Sequence, residues 1–246
     1  QMSPRTIDFR INWESSMVFM NLSEWHRIPN APDDATRAAL LRDPEWRAAA
    51  RRQWDTTDRG MFPNRFPRRV RFIEVADGHL EPWLGRTLED LVAERGGHPS
   101  DVLAEWVLEN HLRPGVLVTG VANSDVDAVA KLLVEPDTLV ASSDAGAHVQ
   151  MMCAAGDTTL YLTRHVRDRG DVTVEQAVHE LTAKQADVFG FHDRGRIAPG
   201  LSADLTVFAL DELHWDDDVF VTDLPGGARR LRRPAGGYRY TVASGD

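Results

Sequence analysis

Apolar residues at Ile7, Phe9, Ile11 and Trp13 alternate with Asp8, Arg10 and Asn12, the period of two expected of a half-buried strand. After an apolar patch at Met17 to Met20, Asp33-Asp34 through Leu41 reads as a short helix. The next helix start is better marked: Asp43 stands at the N-cap, Pro44 at the first helical position and Glu45 in the first turn. Trp46, Ala49, Ala50 and Trp54 then share one face, a stripe that reads as core packing rather than a cofactor box. Residues 56–69, rich in Gly, Pro and Arg, read as a loop, and Val70 to Val75 as a short strand. A helix opens at Thr87 with Asp90 three residues on and stops near Gly96-Gly97. Another runs from about Ser100 to Asn110 with Val102, Leu103, Trp106 and Val107 inward. Pro114-Gly115 breaks the chain before a compact buried strand, Val116 to Val118.

Ser124 with Asp127 marks a further helix, whose Val126, Val129, Leu132 and Leu133 recur at three and four residues. Leu139 to Ser143 reads as a buried strand that turns polar at Ser142 and delivers one carboxylate, Asp144, just before Gly146. This alternation of strand and helix predicts parallel strands joined by helical crossovers. Met151, Met152 and Cys153 fall in a loop or irregular helix, where they read as packing, and a helix from about Leu160 to Arg167 ends at Gly170. The last helix carries the clearest signals, with Thr173 and Gln176 as a capping box, an apolar side of Val174, Val178, Leu181 and Val188, and Gly190 as the stop. Beyond it the pattern becomes extended, with a strand at Ala203 to Phe208 and β-like pieces near Tyr238 to Val242. A boundary near 192 therefore separates an α/β part, 1–191, from a β part, 192–246.

Composition narrows the class. At 42% hydrophobic and 27% charged, the 246 residues match a globular chain rather than a disordered one. A formal charge of −10 gives no global reason to hold a polyanion. The basic runs at Arg65, Arg68, Arg69 and Arg71 and at Arg229, Arg230, Arg232 and Arg233 lack the interleaved aromatics of a single-strand binder, so no nucleic-acid partner is expected. A lone cysteine, Cys153, excludes an intramolecular disulfide. No run approaches the ~20 apolar residues of a membrane span and no signal layout is seen, so a cytoplasmic protein without a membrane partner is the expectation.

Asp144 taken alone is ordinary turn chemistry, an Asp shortly before a Gly. The same position is also where a strand end would deliver a carboxylate to a site in an α/β protein. Two stretches change the balance. Ser143-Asp-Ala-Gly-Ala-His148 resembles the end of the eighth barrel strand of the amidohydrolase superfamily. Gly195-Arg-Ile-Ala-Pro-Gly200-Leu-Ser-Ala-Asp-Leu205 resembles that superfamily's return into a small β-sandwich. Ser3-Pro4, the Asp43-Pro-Glu-Trp46 helix and Gly85-Arg-Thr-Leu-Glu-Asp90 further resemble the D-aminoacylase branch, the N-acyl-D-amino-acid deacylases.

That resemblance implies the C-terminal part of a metal-dependent hydrolase (β/α)8 barrel followed by strands of a small β-sandwich. It implies a metal-dependent hydrolase of amide C–N bonds, typically with zinc, that deacylates N-acyl-D-amino acids. Asp144 would take the proton from a metal-bound water and also touch the metal. His148, four residues on, either borders the substrate or steadies the loop. Ser142 and Ser143 would satisfy backbone groups, and Asp204 would make strand-edge hydrogen bonds.

The sequence also departs from that pattern. None of its nine histidines forms the His-x-His pair that opens such barrels, and Lys131 and Lys184 both read as ordinary helix positions. Cys153 follows the Asp144 motif, so it cannot be the bridging cysteine, and neither Arg164 nor Arg167 can be matched to the arginine expected to hold a substrate carboxylate. The expectation is therefore the C-terminal half of a longer polypeptide, with the N-terminal half of the barrel as its partner, most metal ligands outside these residues, and self-association into a homo-oligomer left open. Two other readings stand beside it: an amidohydrolase acting on a cyclic amide or other small C–N compound, and a non-catalytic scaffold of the same fold.

Overall fold

The alternation at the start of the chain does form a strand, β1 (Ile7–Ile11), and its neighbours define the first of two compact units, Ile7–Ala122. The computed structural model describes every residue except Asn12, Glu14, Ser15, Ser16, Arg59, Ser142, Ala235 and Asp246. In this unit β1 is followed by α1 (Ser23–His26), α2 (Asp34–Arg42), α3 (Pro44–Thr56), β2 (Val70–Glu74), α4 (Leu88–Arg95), α5 (Pro99–Glu109) and β3 (Gly115–Ala122). The expected N-terminal signals act as their chemistry requires. The Asp43 carboxylate accepts from the Glu45 amide, Asp33 from the Thr36 amide, and Thr87 with Asp90 closes a reciprocal box.

The sheet order is β1–β3–β2, and both pairings are antiparallel. This corrects the expectation of parallel strands with helical crossovers. Val118 stands opposite Phe9 on one side and Val70 on the other, and Val116 opposite Ile11 and Phe72. All six are buried, so the register that hides them is specified by the apolar positions themselves. Gly115 lets β3 start against β2, because a Cβ there would lie 2.3 Å from Glu74 Cβ. The predicted Trp46, Ala50 and Trp54 face is buried, and Trp25 stacks on Phe19 and meets Trp46 edge-on in the same core.

The second unit joins Gln1–Thr6 to Asn123–Asp246. It holds α6 (Val126–Leu133), α7 (Asp157–Leu160), a π-helical stretch at Tyr161–Asp168, α8 (Val174–Leu181), α9 (Ala183–Phe189) and four short strands, β4 (Leu205–Val207), β5 (Val219–Val221), β6 (Arg230–Arg232) and β7 (Tyr240–Val242). Three expectations are corrected here. The α6 cap is Asp125, whose carboxylate accepts from the Ala128 amide, in place of Ser124 with Asp127. The helix expected after Leu160 is wound as a π-helix, with Tyr161 and His165 fully buried. The single helix expected from Thr173 to Gly190 breaks at Thr182, whose backbone (φ −126°, ψ −82°) leaves the helical region. Its ends behave as read, with Thr173 and Gln176 forming the box and Gly190 closing α9 in the left-handed conformation.

Beyond Gly190 the chain turns to strands, paired antiparallel as β4–β7 and β5–β6. A core of Val129, Leu133, Val140, Tyr161, Leu162, Val166, Val172, Ala177 and Leu213 ties α6, the π-helical stretch and α8 together. Among the described residues no helix is long and apolar enough to cross a membrane.

Candidate active site

The expected strand at Leu139 to Ser143 is reduced to a single parallel bridge between Met2 and Val140. The Met2 amide donates to the Leu139 carbonyl at 2.8 Å and the Ala141 amide to the Met2 carbonyl at 3.0 Å. Val140 is buried in the core of this unit. Ser142 lies outside the described residues.

Asp144 is solvent-exposed and takes a left-handed backbone, φ 57°. Asp is one of the few L-residues that adopt this region readily, because its short polar side chain can bond locally. The turn that follows is tight. The Ala147 amide donates to the Asp144 carbonyl at 2.9 Å, Gly146 sits at φ 92°, and the Ala145 amide donates to Ser143 Oγ at 3.3 Å. Ser143 thus does what the sequence suggested, satisfying a backbone group. His148 is also exposed and also left-handed, φ 50°. Its carbonyl receives the amides of Met151 (2.7 Å) and Met152 (3.0 Å). Two nearby positions thus hold a left-handed backbone, each with a polar side chain in solvent.

After the turn the chain buries four apolar side chains, Met151, Met152, Cys153 and Ala154. The two methionines and the free cysteine are packing, as expected. Beside them lies a polar group whose members come from both ends of the unit. Arg5 Nη2 donates to the Ser143 carbonyl at 3.1 Å, Arg5 Nε to Asp157 Oδ1 at 3.1 Å, and Ser3 Oγ to Asp157 Oδ2 at 2.6 Å. Ser3, Arg5 and Asp157 are all buried. Burial pushes the Asp157 carboxyl above its ordinary value, while the Ser3 hydroxyl and the Arg5 guanidinium pull the other way. Arg233 lies on the same side, over the Trp215 ring and donating to the Ala155 carbonyl. Burial weakens its hold on its proton.

Sequence reasoning missed Arg5 and Asp157. They are 152 positions apart, so no periodicity could pair them, and Asp157 after Gly156 reads as a turn. The other residues weighed for chemistry are occupied structurally. Arg164 Nη1 donates to the Pro4 carbonyl, Arg167 holds Asp168 and the Leu213 carbonyl, Lys184 pairs with Glu180, and Asp204 accepts from Ser202 and the Ser244 amide. Among the described residues no three His, Cys, Asp or Glu side chains converge as a metal-binding group. Asp144 can supply one donor, and these residues do not complete a metal centre.

The Asp144 loop and Asp157 fall inside a match to a known family, whereas Ser3 and Arg5 precede it. The amidohydrolase family model matches residues 19–246, and the chain belongs to that family. An uncharacterized protein of Mycobacterium tuberculosis is 30% identical over 192 residues, 76% of this chain and 30% of that protein. The N-acyl-D-glutamate deacylase of Alcaligenes xylosoxydans xylosoxydans is 41% identical over 78 residues, 30% of this chain and 15% of that enzyme. This relative agrees with the D-aminoacylase resemblance read from the sequence. Among solved structures, an N-acyl-D-glutamate deacylase from Bordetella bronchiseptica, complexed with zinc and a phosphonate inhibitor, is 26% identical with a TM-score of 0.43, covering 74% of this chain and 34% of that one. The chain spans 30% of the length of the mycobacterial relative and less of the Alcaligenes enzyme.

Proposed function

We propose that the protein carrying this chain hydrolyses amide C–N bonds, that N-acyl-D-amino acids are its substrate class, and that Asp144 is the carboxylate that moves the proton. The observation that carries this reading is the exposed Asp144 carboxylate, held on a left-handed turn in a chain of the amidohydrolase family. A carboxylate so placed accepts a proton from water as its oxygen bonds to the amide carbon. It returns that proton to the nitrogen as the C–N bond breaks, so acid and amine leave with the proton balance closed. His148, exposed four residues on from Asp144, would border the substrate in this reading.

In this reading residues 1–191 belong to the barrel and 192–246 to the β-sandwich, with further barrel strands supplied by sequence beyond these residues. Zinc would take Asp144 as one ligand and its remaining donors from that sequence. Its part would be to polarise the carbonyl and acidify water. The donors among the described residues do not complete such a site.

The test is the complete protein, loaded with divalent metal, incubated with matched N-acetyl-D- and N-acetyl-L-amino acids. Release of free amino acid from the D-series alone is expected. Equal release from both, or none, overturns the substrate assignment, and turnover of a cyclic amide in its place moves the protein to the second reading.

A further inference from the structure

Met2 is bridged to Val140, and this lays Ser3, Pro4 and Arg5 beside the stem of the Asp144 turn. Asn123 fastens the segment from another side, its Nδ2 donating to the carbonyls of Ser3 (3.2 Å) and Arg5 (3.1 Å), while Arg164 holds the Pro4 carbonyl. The Arg5 amide donates to Ser3 Oγ at 3.1 Å, and the Ser3 hydroxyl donates onward to Asp157. Asp157 therefore receives Arg5 on one oxygen and Ser3 on the other, and the Arg5 backbone amide on Ser3 Oγ closes the ring. By contrast, the tip of the turn is open: Asp144, Ala145 and Gly146 are exposed, and a Cβ on Gly146 would meet nothing within 4 Å. From outside the turn, the Arg5 guanidinium reaches its base at the Ser143 carbonyl.

That carbonyl belongs to the peptide plane that also contains the nitrogen and Cα of Asp144, and such a plane is rigid. Holding its oxygen restrains the plane, and with it the direction in which the Asp144 Cα–Cβ bond leaves the loop for a given φ. A buried ion pair adds little net stability, since the desolvation of both charges offsets their attraction. Its value here is geometric. Resting on the proposed role of Asp144, we infer that Arg5 and Asp157, with Ser3, are positioning residues that aim the Asp144 carboxylate. Asp157 holds the guanidinium, the guanidinium holds the Ser143 carbonyl, and the peptide that carries it sets the Cα–Cβ direction from which the carboxylate projects.

The test uses the complete protein and two readouts on the variants Arg5→Lys, Asp157→Asn and Ser3→Ala. The first is amide hydrogen exchange, with peptides spanning 139–150 reporting on the turn and those of β3, in the other compact unit, serving as a folding control. Arg5→Lys keeps the charge but loses the fixed fork of donors. It and Asp157→Asn should raise exchange at 139–150 by about tenfold or more while β3 keeps its protection. If either fails to fold, Ser3→Ala, which removes both hydroxyl bonds of the ring and leaves the ion pair, should raise it a few-fold.

The second readout is kinetic. A misaimed carboxylate should lower kcat by roughly tenfold to a hundredfold while KM stays within about twofold, a split that general loosening would not produce. Wild-type exchange at 139–150 in all three variants overturns the inference, as does faster exchange with kcat unchanged. A wild-type protein that cleaves no C–N bond would instead sink the proposed function, and the exchange data would still decide whether the ring anchors the turn.

Discussion

Trp25 shows how much a single side chain can carry in the first unit. It is fully buried, its ring stacks on Phe19 at 5.6 Å and meets Trp46 edge-on at 5.3 Å, and its Nε1 donates to Ser100 Oγ at 2.9 Å. Truncation to Ala removes the packing and leaves a cavity, so Trp25→Ala should cost about 3–5 kcal/mol, read as a fall in the denaturant midpoint at constant slope. A cost below about 1 kcal/mol would show that the aromatic cluster tolerates collapse around the site. Residues of this kind were legible, since the stripe of Trp46, Ala50 and Trp54 follows the helical period. The group around Asp157 was not, because its members are distant in sequence and each has a plausible local reading. Asp144 stood between the two. Its place before Gly146 marks a turn, and resemblance alone marked it as more than one.

Among the elements, the starts of α3, α4 and α8 were read faithfully, that of α6 was misplaced by one residue, and helix interiors were read least well. Thr173 and Gln176 form the box their spacing predicts, the Gln176 amide donating to Thr173 Oγ at 3.2 Å and the Thr173 amide to Gln176 Oε1 at 2.9 Å. Removing the hydroxyl in Thr173→Ala should cost about 1 kcal/mol, measurable by thermal unfolding, whereas Thr173→Ser should be nearly silent. A silent Thr173→Ala would mean that packing of α8, not its cap, holds the helix. Caps are legible because donor and acceptor lie within three residues of each other. The break at Thr182 and the π-winding at Tyr161–Asp168 are not, because tertiary packing decides them. In the π-stretch, buried His165 shares a 2.8 Å hydrogen bond with Asp171, which Arg169 also grips. Strand direction was misread for a related reason. Alternating strands and helices suggest crossovers, yet β3 lies between β1 and β2 and opposes both.

At the scale of the whole molecule, many carboxylates are held below their ordinary values by arginine partners, among them Asp34 beside Arg113, Asp171 beside Arg169, Asp187 beside Arg196, Glu212 beside Arg239 and Asp223 beside Arg230. A carboxylate depressed in the folded state stabilises above its unfolded value, about 4, and loses that contribution as pH falls through the folded one. Asp157 is raised, so its contribution has the opposite sign and fades as pH rises. The depressed groups outnumber it, so the thermal midpoint should fall as pH drops below about 4, and more gently at high salt, because these surface pairs are screened. A midpoint unchanged between pH 5 and pH 3 would contradict that balance.

Family membership was legible at this scale from two short stretches, whereas the metal set was not, because no three donors converge among the described residues. The central claim, that Asp144 moves the proton in amide hydrolysis, is tested most directly by Asp144→Asn in the complete, metal-loaded protein. Asn accepts the same left-handed backbone, and the side chain is exposed, so the fold is left intact, and metal content measured alongside separates loss of the proton acceptor from loss of a ligand. Steady-state turnover of an N-acyl-D-amino acid should fall by about 10²–10⁴ with the unfolding midpoint unchanged, and turnover that persists within a few-fold of wild type would contradict the account.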